Sequence, residues 1–272
     1  SDVYKRQVQL FVAIASSLVL ARLISANPAF ALTVTLQAVL VQLLQEPTGG
    51  VFARAMDGIA GGLVALAFTA MLPRNPIKLA RQDASKLFVV FSQTLSLIQS
   101  VLAKPDIDLA DQALEKIRAS QPLVDNWRGS MESAAAITKI SPFYRWAQKE
   151  VRDQALVLEG MDLATRNLRV VARRVDYLVR DLKPRPQLAE LTSKIVTAVQ
   201  LIESSADDFS VAQKARKYLT KLIKELDPKR FEPELTLSEA AVLMQYRPLV
   251  VDLCHAAGVA GTKARDLLPR VD

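Results

Sequence analysis

From residue 8 to residue 72 the chain is apolar almost without interruption. The only charged side chains in that stretch are Arg22, Glu46, Arg54 and Asp57. Three runs make it up. The first extends from about Val8 to Ser25 and is broken by Ala26-Asn27-Pro28. The second extends from about Ala29 to Gln45 and is broken by Glu46-Pro47-Thr48-Gly49-Gly50. The third extends from about Val51 to Leu72 and stops at Pro73-Arg74-Asn75-Pro76. A helix that crosses a bilayer needs ~20 apolar residues, within a range of ~17–25, and all three runs reach it. None carries the polar stripe that a surface helix of a globular protein requires. The pattern therefore predicts three transmembrane helices. Arg74, Lys78 and Arg81 crowd the exit of the third run, which puts that end in the cytoplasm.

After Ile77 the pattern changes to amphipathic helix. Leu79 to Ala103 has helical spacing and ends before Pro105. Asp106 to Ser120 and Pro122 to Ile140 read as two further helices. Ser141-Pro142 reads as a helix start, with serine as N-cap and proline at the first position. The helix it opens is expected to run to Leu182, before Pro184 and Pro186. Its second half places Val157, Met161, Ala164, Leu168, Val171, Val175, Leu178 and Leu182 at alternating steps of four and three. That spacing is the seam of coiled-coil-like packing. Gln187 to Ser204 and Phe209 to Leu226 follow, and Thr236 with Glu239 forms a capping box for the last helical region. No strand-like alternation is long enough to build a sheet. The expected fold is all-α: a transmembrane domain over residues 1–74, then a cytoplasmic helical bundle over 75–272 with one long coiled-coil-like helix.

Charge and composition add limits. The net charge of +7 and pI near 9.5 suit a chain lying against an anionic leaflet. No stretch interleaves aromatic and basic residues as nucleic-acid binders do. A single cysteine, Cys254, excludes an intrachain disulfide. The neighbouring Cys254–His255 pair would point about 100° apart on a helix, poor placement for a nucleophile and its base, so a core cysteine beside a partly exposed histidine is expected. Walker-type loops, HExxH, GxSxG and CxxC are all missing, so neither a cofactor, a metal nor an enzymatic reaction is expected. Asp207–Asp208 reads as helix capping. The opening Ser1–Gln7 (SDVYKRQ) looks like translated adapter sequence and is expected to be non-native. That reading also removes Lys5 and Arg6 from the side opposite the cytoplasm.

Several polar residues stand out against the apolar background. Gly58, Gly61 and Gly62 lie one turn apart and would let another helix approach closely. Arg54 and Asp57, three residues apart, share a face; they either pair at the interface or line a polar cavity. In the second run Thr33, Thr35, Gln37 and Gln42 either bond to neighbouring helices or face a water-filled path. Thr33, Gln37, Arg54 and Asp57 are the candidate solute and ion pathway. Arg166, Arg169, Arg173 and Arg180 beside the seam read as a solvated face neutralised by Asp162, Asp176 and Asp181.

The block PTGGVFARAMDGIAGGLVALAFTAMLPRNP, residues 47–76, resembles the end of the membrane half in the aromatic acid exporter and fusaric acid resistance families. The matching residues are Pro47, Arg54, Asp57, Gly61, Gly62, Leu72, Pro73 and Pro76. The resemblance implies a multi-pass permease of the bacterial plasma membrane. It would export small aromatic or other organic acids, driven by the proton gradient. Members have about six spans per unit, so the resemblance also implies that three spans precede this chain. The expected partners are the lipid bilayer, a small organic acid and further copies of the chain. The alternative is a membrane-anchored helical scaffold that dimerises or binds a partner through the long seam.

Overall fold

The computed structural model describes residues 2–24, 28–43, 56–64, 76–140, 144, 147–205 and 209–270. All regular structure among them is helical. The chain divides into two compact units, Ser1–Leu72 and Pro73–Asp272.

In the first unit α1 (Asp2–Ile24) packs against α2 (Pro28–Leu43). Ala21 and Ala31, both buried, are small residues of the kind that let helices come close. Residues 56–64 form α3. A broad face of each helix exposes large apolar side chains: Phe11, Val12, Val19 and Leu23 on α1, Leu32 and Leu36 on α2, Met56, Ile59 and Leu63 on α3. The hydroxyls turn back to their own helix. Ser16 donates to the Val12 carbonyl at 2.7 Å, Ser17 to Ile14 at 2.9 Å and Thr35 to Ala31 at 2.8 Å. The same back-bonding recurs on exposed helix positions of the second unit, at Ser96, Ser133 and Thr220 among others.

The second unit is a bundle of eight α-helices among its described residues: α4 (Pro76–Ala103), α5 (Ile107–Arg118), α6 (Gln121–Ile140), α7 (Gln148–Leu178), α8 (Pro186–Ser204), α9 (Phe209–Leu222), α10 (Leu237–Ala256) and α11 (Gly261–Asp266). One described helix, Ile77–Ala103 in α4, is long and apolar enough to cross a membrane. Its spacing shows how that apolarity is used. Ile77, Ala80, Leu87, Phe91, Leu95, Ile98 and Leu102 are all buried, and the helix packs on α5, α6 and α8. Apolar segments in α1 and α2, Leu10–Leu23 and Phe30–Leu40, are shorter.

Local chemistry sets the helix ends. The Asp106 carboxylate caps α5 by accepting from the Leu109 amide at 3.0 Å. At α10 the capping box forms as the sequence predicts, with the Thr236 hydroxyl and the Glu239 carboxylate bonded to each other's backbone. The long helix differs from expectation. Its proposed Ser141-Pro142 start lies outside the described residues. The described helix begins at Gln148 behind Ala147, which offers no side-chain cap, and Tyr144 and Ala147 are in 3-10 conformation. At the other end a 3-10 turn, Val179–Asp181, closes on Leu182 in the left-handed region at φ 56°. Leu182 therefore leaves the seam and is 62% exposed. The seam residues Met161, Ala164, Leu168, Val171, Val175 and Leu178 are buried within one chain, where α7 packs on α10, α5 and α6. Likewise α9 stops at Leu222 and tightens into a 3-10 turn over Ile223–Glu225, yet Leu226 still reaches the core.

Two contacts tie the bundle together. At Gly160 on α7 the backbone of α10 passes so close that a Cβ would lie 2.3 Å from the Ala256 nitrogen. Arg185, only 7% exposed, joins the turn after α7 to α10. Its guanidinium donates twice to Asp181, at 2.6 and 2.8 Å, and once to Glu239 at 3.1 Å. Its backbone amide donates to the Leu102 carbonyl at the end of α4 at 2.6 Å.

Candidate functional site

Of the pathway candidates, Asp57 lies exposed near the start of α3, and Thr33 and Gln37 lie exposed on α2. Their spacing of four puts the latter two on one face. No hydrogen bond joins Asp57 to either among the described residues. Arg54, and with it the Arg54–Asp57 pair, lies outside the described residues; of Gln42 only the backbone is described. Gly58, Gly61 and Gly62 are exposed, and a Cβ at any of them would meet nothing within 4 Å. No described helix is seated on that face.

In the second unit, Arg166 and Arg180 of the arginine face are neutralised by aspartates. The Arg166 guanidinium donates to both oxygens of Asp162, at 3.2 and 2.8 Å, and Arg128 adds a third bond to the same carboxylate at 2.9 Å. Arg180 pairs with Asp176 at 3.0 Å and lies 5.9 Å from the Tyr177 ring centroid. Arg169 donates to the Ile117 carbonyl and to Gln121. Asp181, expected to balance this face, is instead taken by Arg185. The Asp207–Asp208 caps lie outside the described residues.

Cys254 and His255 sit in different surroundings. The thiol is buried, and burial pushes its pKa up to about 12. His255 turns toward α7, with Nε2 3.4 Å from the Glu159 carboxylate. A thiol reagent is therefore expected to leave Cys254 unmodified in the folded protein while reacting fully with denaturant-unfolded chain. Rapid labelling of the native protein would contradict this placement.

The second unit also holds a cavity of about 180 Å³, walled by α4, α6, α7 and α8. Phe88 and Trp127 form its aromatic wall, their ring centroids 6.2 Å apart and tilted by 52°. The Trp127 indole N–H and both amide atoms of Gln154 are buried without a protein partner. Burial raises the pKa of the Glu203 carboxyl above its ordinary value, against the opposing hydrogen bond from Ser85. Arg81 at the rim donates through Nε and Nη2 to Glu150, at 3.0 and 2.5 Å.

No family model matches this chain, and no solved structure matches it. The chain is 24% identical over 265 residues to an uncharacterized protein of Corynebacterium glutamicum, a match covering 94% of this chain and 68% of that protein. A match of that extent runs through both units.

Sequence pattern does not mark the cavity as a whole. Nothing in the spacing distinguishes Trp127 or Glu203 from ordinary helix residues. Gln154 does carry a signal: it takes one step of the buried series Val151, Gln154, Leu158, Met161, a polar side chain where the helix face calls for an apolar one.

Proposed function

We propose that the chain is part of a bacterial inner-membrane permease that exports small aromatic or other organic acids in exchange for protons. In this reading α1, α2 and the third apolar run cross the membrane, and the helical unit lies in the cytoplasm. The observation that carries it is the broad apolar face on each of α1, α2 and α3. In water such a face would be a large exposed patch of a kind rare on soluble proteins; against lipid it needs no cover. The block at residues 47–76, with its resemblance to organic-acid exporters, supports the same reading.

The mechanism assigns no covalent chemistry to the chain. Asp57 would exchange the proton, Arg54 would meet the solute carboxylate, and Thr33 and Gln37 would supply polar contacts along the path. The exposed glycine face of α3 would receive another span, from the same protein or a second copy. A scaffold acting through the seam of α7 fits less well, because that seam is covered by α10, α5 and α6.

Replacing Asp57 by asparagine in the complete protein is expected to abolish efflux while leaving the protein in the carbonate-resistant membrane fraction. Unchanged efflux would remove Asp57 from the mechanism. Extraction of the wild-type protein by carbonate would remove the membrane reading itself.

A further inference from the structure

We propose that the cavity between α4, α6, α7 and α8 is a binding site for an uncharged single-ring molecule that carries a carbonyl acceptor beside an N–H donor, the chemistry of a carboxamide or lactam. The site is separate from the pathway residues and does not rest on the transport reading.

Size sets the first limit. A cavity of roughly 150 Å³ is known to hold a benzene ring, and this one has about 180 Å³. The walls set the second. Phe88, Trp127, Val157 and Ile202 offer apolar and aromatic surface, which suits a planar ring.

The unpaired polar atoms define the rest. Buried donors and acceptors are nearly always satisfied, and an orphan is costly. Here three orphan atoms belong to two lining residues: the indole N–H of Trp127, a residue 1% exposed, and the amide nitrogen and oxygen of Gln154, a residue 8% exposed. An amide that is free at both ends pairs best with another amide edge, accepting from its N–H and donating to its carbonyl, once the Gln154 side chain turns that edge into the cavity.

The charges argue against an anion. The nearest cation, Arg81, is committed to Glu150. The Glu203 carboxyl, which accepts from Ser85, lines the same space and would repel a carboxylate. A neutral amide avoids that repulsion.

The test uses the full chain in detergent micelles and para-fluorobenzamide, followed by fluorine NMR. Saturable binding is expected, with a Kd on the order of 1 mM, as befits a ligand of this size. Para-fluorobenzoate, the same ring as an anion, should bind more weakly. Gln154→Leu keeps the side-chain bulk but removes both amide atoms, and should weaken the benzamide about tenfold. Glu203→Gln should strengthen the benzoate several-fold and leave the benzamide nearly unchanged, a gain that a misfolded variant could not give. Absence of saturable benzamide binding, equal affinity in Gln154→Leu with helical content retained, or tighter binding of benzoate than benzamide to the wild-type protein would each overturn the proposal.

Discussion

Gly160→Ala is expected to destabilise the helical unit by about 3 kcal/mol, the upper end for an overpacked core. At an open helix position the same change would stabilise by up to about 1 kcal/mol, because alanine is the better helix former. Here the added Cβ would sit 2.3 Å from the Ala256 nitrogen and 2.6 Å from its Cα. Both are backbone atoms, so no side chain can rotate away. Relief requires α7 and α10 to part, which opens gaps along the most extensive helix pair of the bundle. Gly129→Ala supplies the internal control. Gly129 lies within α6, and nothing within 4 Å would meet its Cβ, so that variant should be equal to or more stable than wild type. Thermal melts followed by circular dichroism separate the two. A Gly160→Ala protein as stable as the Gly129→Ala one would mean that the helices do not cross this closely.

Arg185→Ala is expected to cost about 2–3 kcal/mol at neutral pH, somewhat below the range for breaking a fully buried pair. The reduction reflects Asp181, whose side chain is partly exposed and can rehydrate once its partner is gone. Glu239 is more enclosed and would keep only its Thr236 bonds. The loss should depend on pH. The Arg185 guanidinium holds the Asp181 carboxyl down at about 2, from an ordinary value of 3.8. A folded-state pKa below the unfolded one gives stability that is fully present above the unfolded value and lost as pH falls through the folded one. Against burial, bonds from Thr236 and Arg185 also hold the Glu239 carboxyl below its ordinary 4.5, so the gap between wild type and variant should stay constant from neutral pH down to about 5 and narrow between there and about 2. Denaturant titrations across that range would measure it; a gap that widens toward acid would exclude the ion pair as its source.

The helices of the second unit were legible because the chain marks them with breakers and spacing. Pro105, Asp106 and Pro122 frame α5 and α6, and Thr236 with Glu239 opens α10 through a purely local contact. The misreadings occur where distant chain decides. Leu182 fits the seam by count, but the chain has already turned at Val179–Asp181 to let Arg185 reach Glu239, far ahead in sequence. Gly160 looks like any helix glycine until α10 is laid across it. Trp127, Gln154 and Glu203 come from three different helices, and no spacing rule joins them. In the first unit the absence of charge is read directly from the residues. Which side chains meet one another there depends on helix pairing that the pattern does not encode, and Asp57 is joined to neither Thr33 nor Gln37.

The meeting of α7 and α10 at Gly160 also makes the bundle mechanically lopsided. Backbone resting on backbone leaves no volume to give up at that crossing. The hollow beside Trp127 is lined by Gln154, on the same helix as Gly160. Hydrostatic pressure favours states that eliminate internal void. The unit should therefore yield first between α4, α6, α7 and α8, with the crossing at Gly160 as the fulcrum.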